Sequence, residues 1–318
     1  MASGVLRILG GAPRLHTRSM SALPSSSPLA IAVIGLGGIG SMFAYHLARA
    51  GHDVTAIARP GSARLAQLQR DGGLVTTTGE RAAVRVADAL DETTAYDLVV
   101  VTTLAHQVDA VLPALQRSRA RCVQFMFNTF DPERLRAAMG AERCSFGMPF
   151  VRARLDGTGA LAGQTNPGQK TLHGDPRWAA VFRAAGLPSA VEPDMPLWLR
   201  CHVPMCIAFE SISIAGERRR GGAAWAEAMV VARGMRGGFA VLRGLGYRLY
   251  PSAKALFSRC PTGVLACLLW SLSRITSFRE LLATGAQECR ALVDGMIAAA
   301  AGRPPLAAAV TALAALRP

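Results

Sequence analysis

A chain of 318 residues that is 51% hydrophobic can bury a large core and is long enough for two domains. Its longest apolar run, Val264 to Leu272, falls short of the ~20 residues a spanning helix needs and fits a buried helix, so no membrane partner is expected. A net charge of +14 invites nucleic acid, but of 35 basic residues only Lys170 and Lys254 are lysine, and no aromatic residues interleave with the dense run Arg218-Arg219-Arg220; the excess reads as arginine-rich composition, that run as a solvated loop, and no nucleic-acid partner is expected.

Residues 1–28 hold four basic side chains (Arg7, Arg14, His16 and Arg18), no acid, and the low-complexity Ser25-Ser26-Ser27-Pro28. They read as a disordered or targeting segment of mitochondrial transit type, or as an extended gene start with Met20 as the true first residue. Seven cysteines form no CxxC and no Cys/His zinc spacing, so no metal site is expected, and the thiols read as free in a reducing compartment. The expected location is the cytoplasm, or the mitochondrial matrix if the first 28 residues are an address.

From residue 29 the chain reads LAIAVIGLGGIGSMFAYHLARAGHDVTAIAR, a complete dinucleotide-binding βαβ unit. The apolar run Leu29 to Ile34 suits a strand buried on both faces and leads into Gly35-Leu36-Gly37-Gly38-Ile39-Gly40. Gly35 allows the tight turn, Gly37 lets backbone approach a pyrophosphate, and Gly40 lets the following helix, Gly38 to Ala50, pack close to the strand. That helix aims its free N–H groups at the pyrophosphate, and the second strand, Asp53 to Ala58, follows. NAD-binding units place an acid near its end; here stands Arg59, able to fork a 2′-phosphate, with Arg64 and Ser62 able to join it, so NADP is the expected cofactor. A solvated loop arginine is the plain alternative.

Further along, the patterns predict a helix over 61–70, a hairpin over 73–87, a strand over 97–103, a helix over 106–117 and a strand over 122–127. Asn128 closes that strand, Asp131-Pro132-Glu133 starts a helix, and 144–150 is a strand. An edge strand or hairpin over 168–174, a helix over 178–185 and a short strand over 190–192 complete the first half. Beyond Pro196 only helical periodicity remains, over 197–215, 223–244, 252–258, 262–272, 277–301 and 304–316. The fold class is α/β: a Rossmann-type domain over 29–195, then an all-helical substrate or dimerisation domain over 196–318, with a homodimer possible and the ligand in the cleft between.

With Gly35 to Gly40 and Arg59, the hairpin GGLVTTTGERAAV, the run VTTLAHQVDAV, Asn128, the turn PGQKTLHGD and Trp198-Leu199-Arg200, the chain resembles the ketopantoate reductase family over nearly its whole length after residue 29. The resemblance implies hydride transfer from NADPH to a small 2-oxo acid or ketone, with Asn128 at the nicotinamide ribose or substrate. It also implies a lysine and an asparagine on the helix opened by the tryptophan, where this chain has Arg200 and Pro204, and a second lysine where it has Leu104. Lys170 and Lys254 are distant in sequence from these positions and are not expected to stand in. The family's late acid falls at Cys289, with Glu288 one position away. Arg200 cannot donate a proton at neutral pH but can stabilise an alkoxide, which leaves His202, Glu288 or water as the proton source. Trp198 reads as core packing, and Glu210 as either functional or a buried arginine partner. The rival reading is a non-catalytic NADP-binding protein that has lost its proton donor.

Overall fold

The computed structural model describes residues 27–165, 168–282 and 285–318, so nearly all of the predicted targeting segment lies outside the described residues. Strand β1 (Ala30–Ile34) is apolar throughout because both of its faces are covered: Ile31 and Val33 enter one core layer, Ala32 and Ile34 the other. Helix α1 (Gly38–Arg49) returns the chain to β2 (Asp53–Ile57), parallel to β1. Ser62 caps α2 (Ala63–Asp71) by accepting from the Leu65 amide at 3.2 Å, and Gly72 ends it in the left-handed conformation. The predicted hairpin is β3 (Leu74–Val75) with β4 (Arg81–Ala82), and β5 (Arg85–Ala87) then adds to the free edge of β2.

Strand β6 (Leu98–Val101) pairs on the other side of β1. The single helix predicted over 106–117 is instead a 3-10 turn, Ala105–Ala110, followed by α3 (Leu112–Arg117), because Pro113 has no N–H to continue the first turn and suits the start of a new helix. Strand β7 (Val123–Met126), helix α4 (Pro132–Met139) and strand β8 (Cys144–Met148) follow as read, with Asp131 capping α4 through the Arg134 amide at 3.1 Å.

Two strands are additions to the predicted set. Strands β9 (Val151–Leu155) and β10 (Leu161–Thr165) form an antiparallel hairpin packed against α1. The alternation Val151-Arg152-Ala153-Arg154-Leu155 before the turn Asp156-Gly157-Thr158-Gly159 was the available signal. Strand β11 (Thr171–His173) is interior rather than an edge: it pairs antiparallel with β8 and parallel with β12 (Ser189–Val191), which follows α5 (Pro176–Ala184). The eight-stranded sheet runs β12-β11-β8-β7-β6-β1-β2-β5, and its order reverses between β1 and β6, which opens a crevice at their carboxyl ends.

The remainder is helical: α6 (Met195–Arg218), α7 (Trp225–Gly244), α8 (Ser252–Arg259), α9 (Thr262–Leu272), α10 (Thr276–Leu282), α11 (Ala286–Ala299), a 3-10 turn and α12 (Ala307–Ala314). The segment predicted as one helix over 277–301 is therefore two. At Gly285, ahead of α11, a Cβ would stand 2.8 Å from the Glu210 carboxyl carbon, so this approach to α6 excludes a side chain. Arg218, read as loop, is the last residue of α6, and Arg219 pairs with Glu227. Phe239, Leu242, Leu269, Val293 and Leu313 are fully buried at the centre of this half. Pro204 sits inside α6 and packs on α7, where a Cβ on Gly238 would come within 2.9 Å of the proline ring. Among the described residues no single helix is long and apolar enough to cross a membrane, and no group of His, Cys, Asp or Glu is arranged to hold a metal ion.

Candidate active site

The glycine loop ends β1 at the crevice. Gly35 has φ +95, and a Cβ there would stand 2.9 Å from the Thr102 carbonyl carbon and the Thr103 amide. At Gly40 a Cβ would meet the Gly35 carbonyl oxygen at 2.2 Å, so α1 and β1 touch through backbone alone. Thr102, at the end of β6, ties the turn by donating to the carbonyls of Ile34 at 3.0 Å and Gly35 at 2.8 Å. Around Gly37 lies open space, with nothing within 4 Å of a built Cβ. Gly37 is the N-cap of α1, no side chain caps it, and the first turn carries no acid, so free N–H groups and the positive end of the helix dipole point at that space. These are the requirements of a pyrophosphate cradle. Gly38 serves another purpose, since a Cβ would stand 2.2 Å from the Ala153 carbonyl oxygen of β9.

Arg59, just past β2, is exposed; its carbonyl accepts from the Ser62 amide at 3.1 Å, and its guanidinium makes no hydrogen bond or ion pair with a described residue. Arg64 is a correction. Its guanidinium turns under the loop, donating to the Leu36 carbonyl at 3.1 Å, the Ser41 hydroxyl at 2.6 Å and the Gly159 carbonyl at 2.7 Å, so it braces the loop and the β9–β10 hairpin and does not reach outward to a ribose.

Across the crevice, Asn128 follows β7 and donates through Nδ2 to Glu288 Oε1 at 3.2 Å, 160 residues away on the first turn of α11. The Cys206 thiol donates to the other end of the Asn128 amide at 3.2 Å. The one-residue ambiguity at the late acid is resolved: Glu288 faces Asn128, and Cys289 is buried against Ser211 and the Ile207 carbonyl. Burial raises Glu288, with the Asn128 hydrogen bond opposing. Glu210, one turn beyond Cys206 on α6, is pushed up to about 9 by burial and by Glu288, and its Oε2 has no hydrogen-bond partner among the described residues.

Helix α6 therefore presents Trp198, His202, Cys206 and Glu210, spaced four apart, along one face. The Trp198 and His202 rings stack at 4.5 Å, and Phe150 packs edge-on against both. Burial, aided by the nearby Lys254 ammonium, pulls His202 down to about 3, so it is neutral at physiological pH and is not the proton source read from its ordinary pKa. Its Nδ1 is buried without a partner among the described residues.

Arg200 and Pro204 lie on a different face. Arg200 Nη1 donates to Glu133 Oε1 of α4 at 2.8 Å, and its guanidinium lies 4.6 Å over the Tyr247 ring. It lines a cavity of about 610 Å³ with Asp131, Arg134, Leu292 and Gly295; Phe127 and Thr129, on either side of Asn128, also line it, but Asn128 and Glu288 do not. The role read for Arg200 at a developing alkoxide is thus not supported by its placement; it clamps the helical half to α4. Arg200→Ala is expected to cost about 1–3 kcal/mol, combining a half-exposed ion pair with a cation–π contact, and a thermal melt beside a turnover assay should show Tm falling while kcat changes little.

The lysine of α8 lies where sequence distance argued against it. Lys254 is buried, its Nζ donates to the Trp198 carbonyl at 2.8 Å and stands 3.5 Å over the Trp198 ring, at the head of the His202–Cys206–Glu210 row. Cys206, through its contact with Asn128, is a site residue that sequence reasoning missed.

Residues 31–174 match the family described as ketopantoate reductase PanE/ApbA. That match spans the sheet half of the chain, from β1 to the end of β11. No curated protein sequence matches the chain. Its structure is similar to a PanE/ApbA family ketopantoate reductase from Ralstonia eutropha JMP134, at 21% identity and TM-score 0.70, covering 90% of this chain and 97% of that one. It is also similar to 2-dehydropantoate 2-reductase from Geobacter metallireducens GS-15, at 18% identity and TM-score 0.63, over 89% and 98% of the two chains. A third similar structure is a D-mandelate dehydrogenase with NADH and anilino(oxo)acetate, at 14% identity and TM-score 0.64, over 90% and 97%. At these identities the structures establish the shared fold. Along α6, outside the matched residues, the face that carries His202, Cys206 and Glu210 holds no cation of its own.

Proposed function

We propose that the chain is an NADPH-dependent reductase that converts a small 2-oxo acid or ketone into the hydroxy compound. The observation that carries this reading is the Asn128–Glu288 hydrogen bond, which joins the sheet half, just past the carboxyl end of β7, to the first turn of α11 in the helical half. The loop from Gly35 to Gly40, through Leu36, Gly37, Gly38 and Ile39, would hold the pyrophosphate with the first-turn amides of α1, and Arg59 the 2′-phosphate. When bound, the reduced nicotinamide supplies hydride to a carbonyl carbon. Asn128 would orient the ribose or the substrate, and Glu288 would accept a hydrogen bond from the substrate hydroxyl. Trp198, His202 and Phe150 pack on one another along the same face of α6 and would help to keep bulk water from the reacting carbon.

One structural neighbour is described with NADH, so cofactor choice within this fold is read from Arg59. A charge-assisted pair to a 2′-phosphate is worth about 1.5–3 kcal/mol. Arg59→Ala is therefore expected to weaken NADPH about 10- to 100-fold and leave NADH unchanged, read by nicotinamide fluorescence. Equal affinity of the wild type for both nucleotides would remove the NADP assignment. The reductase reading itself is tested by offering 2-oxo acids and ketones with NADPH and following loss of the reduced nicotinamide; binding without turnover on every carbonyl would favour the non-catalytic rival.

A further inference from the structure

The side chains gathered at Asn128 are acids. Glu288 accepts from the Asn128 amide, which favours its charged form, and the Cys206 thiol donates to the other end of that amide. Glu210 stands one turn beyond Cys206, its carboxyl against bare Gly285 at the start of α11, three positions ahead of Glu288. Glu288 acts on Glu210, and both act on the Cys206 thiol. All three are buried, and among the described residues neither carboxyl pairs with a basic side chain. The basic groups around the cluster are committed elsewhere. Lys254, whose charge is felt at Cys206, is held on the Trp198 carbonyl and ring. Around the neighbouring cavity, Arg200 donates to Glu133, Arg134 to Asp109 and Arg303 to the Gly244 carbonyl.

We propose that this cluster excludes a carboxylate beside the reacting carbonyl, so that the substrate is an uncharged carbonyl compound and Glu288 is the residue that rejects the 2-oxo acid. The inference rests on the reductase reading and narrows it. A 2-oxo acid carries its carboxylate one bond from the carbon that takes hydride. Seated against Asn128 and Glu288, it would set a second negative charge in a buried place, with no cation to offset the lost water. The donors in the cluster are the remaining N–H of Asn128 and the proton that burial and Glu288 keep on Glu210 up to about 9. They suit one neutral carbonyl oxygen. They do not suit an adjoining carboxylate, whose two oxygens offer about four acceptor sites. Selection of this kind acts by a cost to the rejected compound and needs no added contact to the accepted one.

The test offers matched carbonyls with NADPH: pyruvate beside pyruvamide and methyl pyruvate, and 2-oxo-3-methylbutanoate beside its amide and methyl ester. The kcat/KM of the amide or ester is expected to exceed that of the acid about 100-fold or more. Oxamide and oxamate, nearly equal in shape and not reduced, rank the two charges without chemistry. Oxamide should perturb the fluorescence of bound NADPH at a concentration about 10-fold or more below that of oxamate. In Glu288→Gln every rate should fall while the amide-to-acid ratio narrows about 10-fold or more; Glu288→Asp keeps the charge and should keep the ratio. An acid that turns over as well as its amide, or a ratio unmoved in a Glu288→Gln protein that still binds NADPH, overturns the proposal and leaves the reductase reading intact. A preference for the acid that Arg200→Ala abolishes also overturns it, and assigns the carboxylate to the neighbouring cavity. A wild type that binds NADPH and reduces no carbonyl overturns both readings.

Discussion

Gly40→Ala is expected to abolish NADPH binding, lowering affinity more than about 100-fold, and to destabilise the fold by about 1–3 kcal/mol. The added methyl would stand 2.2 Å from the Gly35 carbonyl oxygen and 2.5 Å from Thr102 Oγ1. Neither can yield cheaply, because that carbonyl accepts from the Gly37 amide at 2.9 Å and from Thr102 Oγ1 at 2.8 Å. Helix α1 must therefore move off β1, and its free amides lose their aim. Gly37→Ala separates the two consequences. Nothing lies within 4 Å of its Cβ, so the fold should melt at the wild-type temperature, while the methyl occupies the space proposed for the pyrophosphate. Fluorescence titration beside thermal melts would show affinity lost in both variants and Tm lowered only in Gly40→Ala. If Gly37→Ala bound NADPH like wild type, the loop would not be the pyrophosphate cradle.

The glycine loop was legible because its constraints are local: a turn, an uncapped helix and a backbone contact all fall within a dozen residues. The parallel strands were legible for a related reason, since burial on both faces leaves continuous apolar runs. The site across the crevice was not. Spacing of four along α6 describes Arg200 and Pro204 as well as His202, Cys206 and Glu210, and periodicity alone does not say which face meets the sheet. That choice is made by packing, with Pro204 against Gly238 and Arg200 against Glu133 and Tyr247. Lys254 was set aside because it lies 56 residues from Trp198, a separation that the α7 excursion closes to a hydrogen bond. Arg64 was misread for the opposite reason: it lies close to Arg59 in sequence, but its side chain follows α2 back beneath the loop.

Glu210→Gln is expected to stabilise the protein increasingly as pH rises from about 5 to about 9. The folded state holds the Glu210 carboxyl protonated up to about 9, whereas in the unfolded chain it ionises near its ordinary 4.5. Stability from this group is therefore complete below 4.5 and is lost as pH climbs toward 9, by about 1.4 kcal/mol per unit for an isolated group. Glutamine keeps the shape and carries no ionisation, so the variant and wild type should melt together near pH 4.5 and diverge by several kcal/mol by pH 8. His173 and His202, both pulled down to about 3 by burial, act in the reverse sense: their contribution is present above 6.5 and is lost as pH falls. Lys254, lowered to about 7, contributes stability that is full above 10.5 and declines as pH drops toward 7. Those three groups are common to both proteins and cancel in the difference, which isolates Glu210. Its proton also lets Glu288 carry the pair's single charge opposite the Asn128 amide, where two ionised carboxylates would repel in a site that excludes water. Melting curves that superimpose from pH 5 to 8 would mean that Glu210 is ionised when folded, and that the cleft holds a double negative charge for which the substrate or a bound cation must compensate.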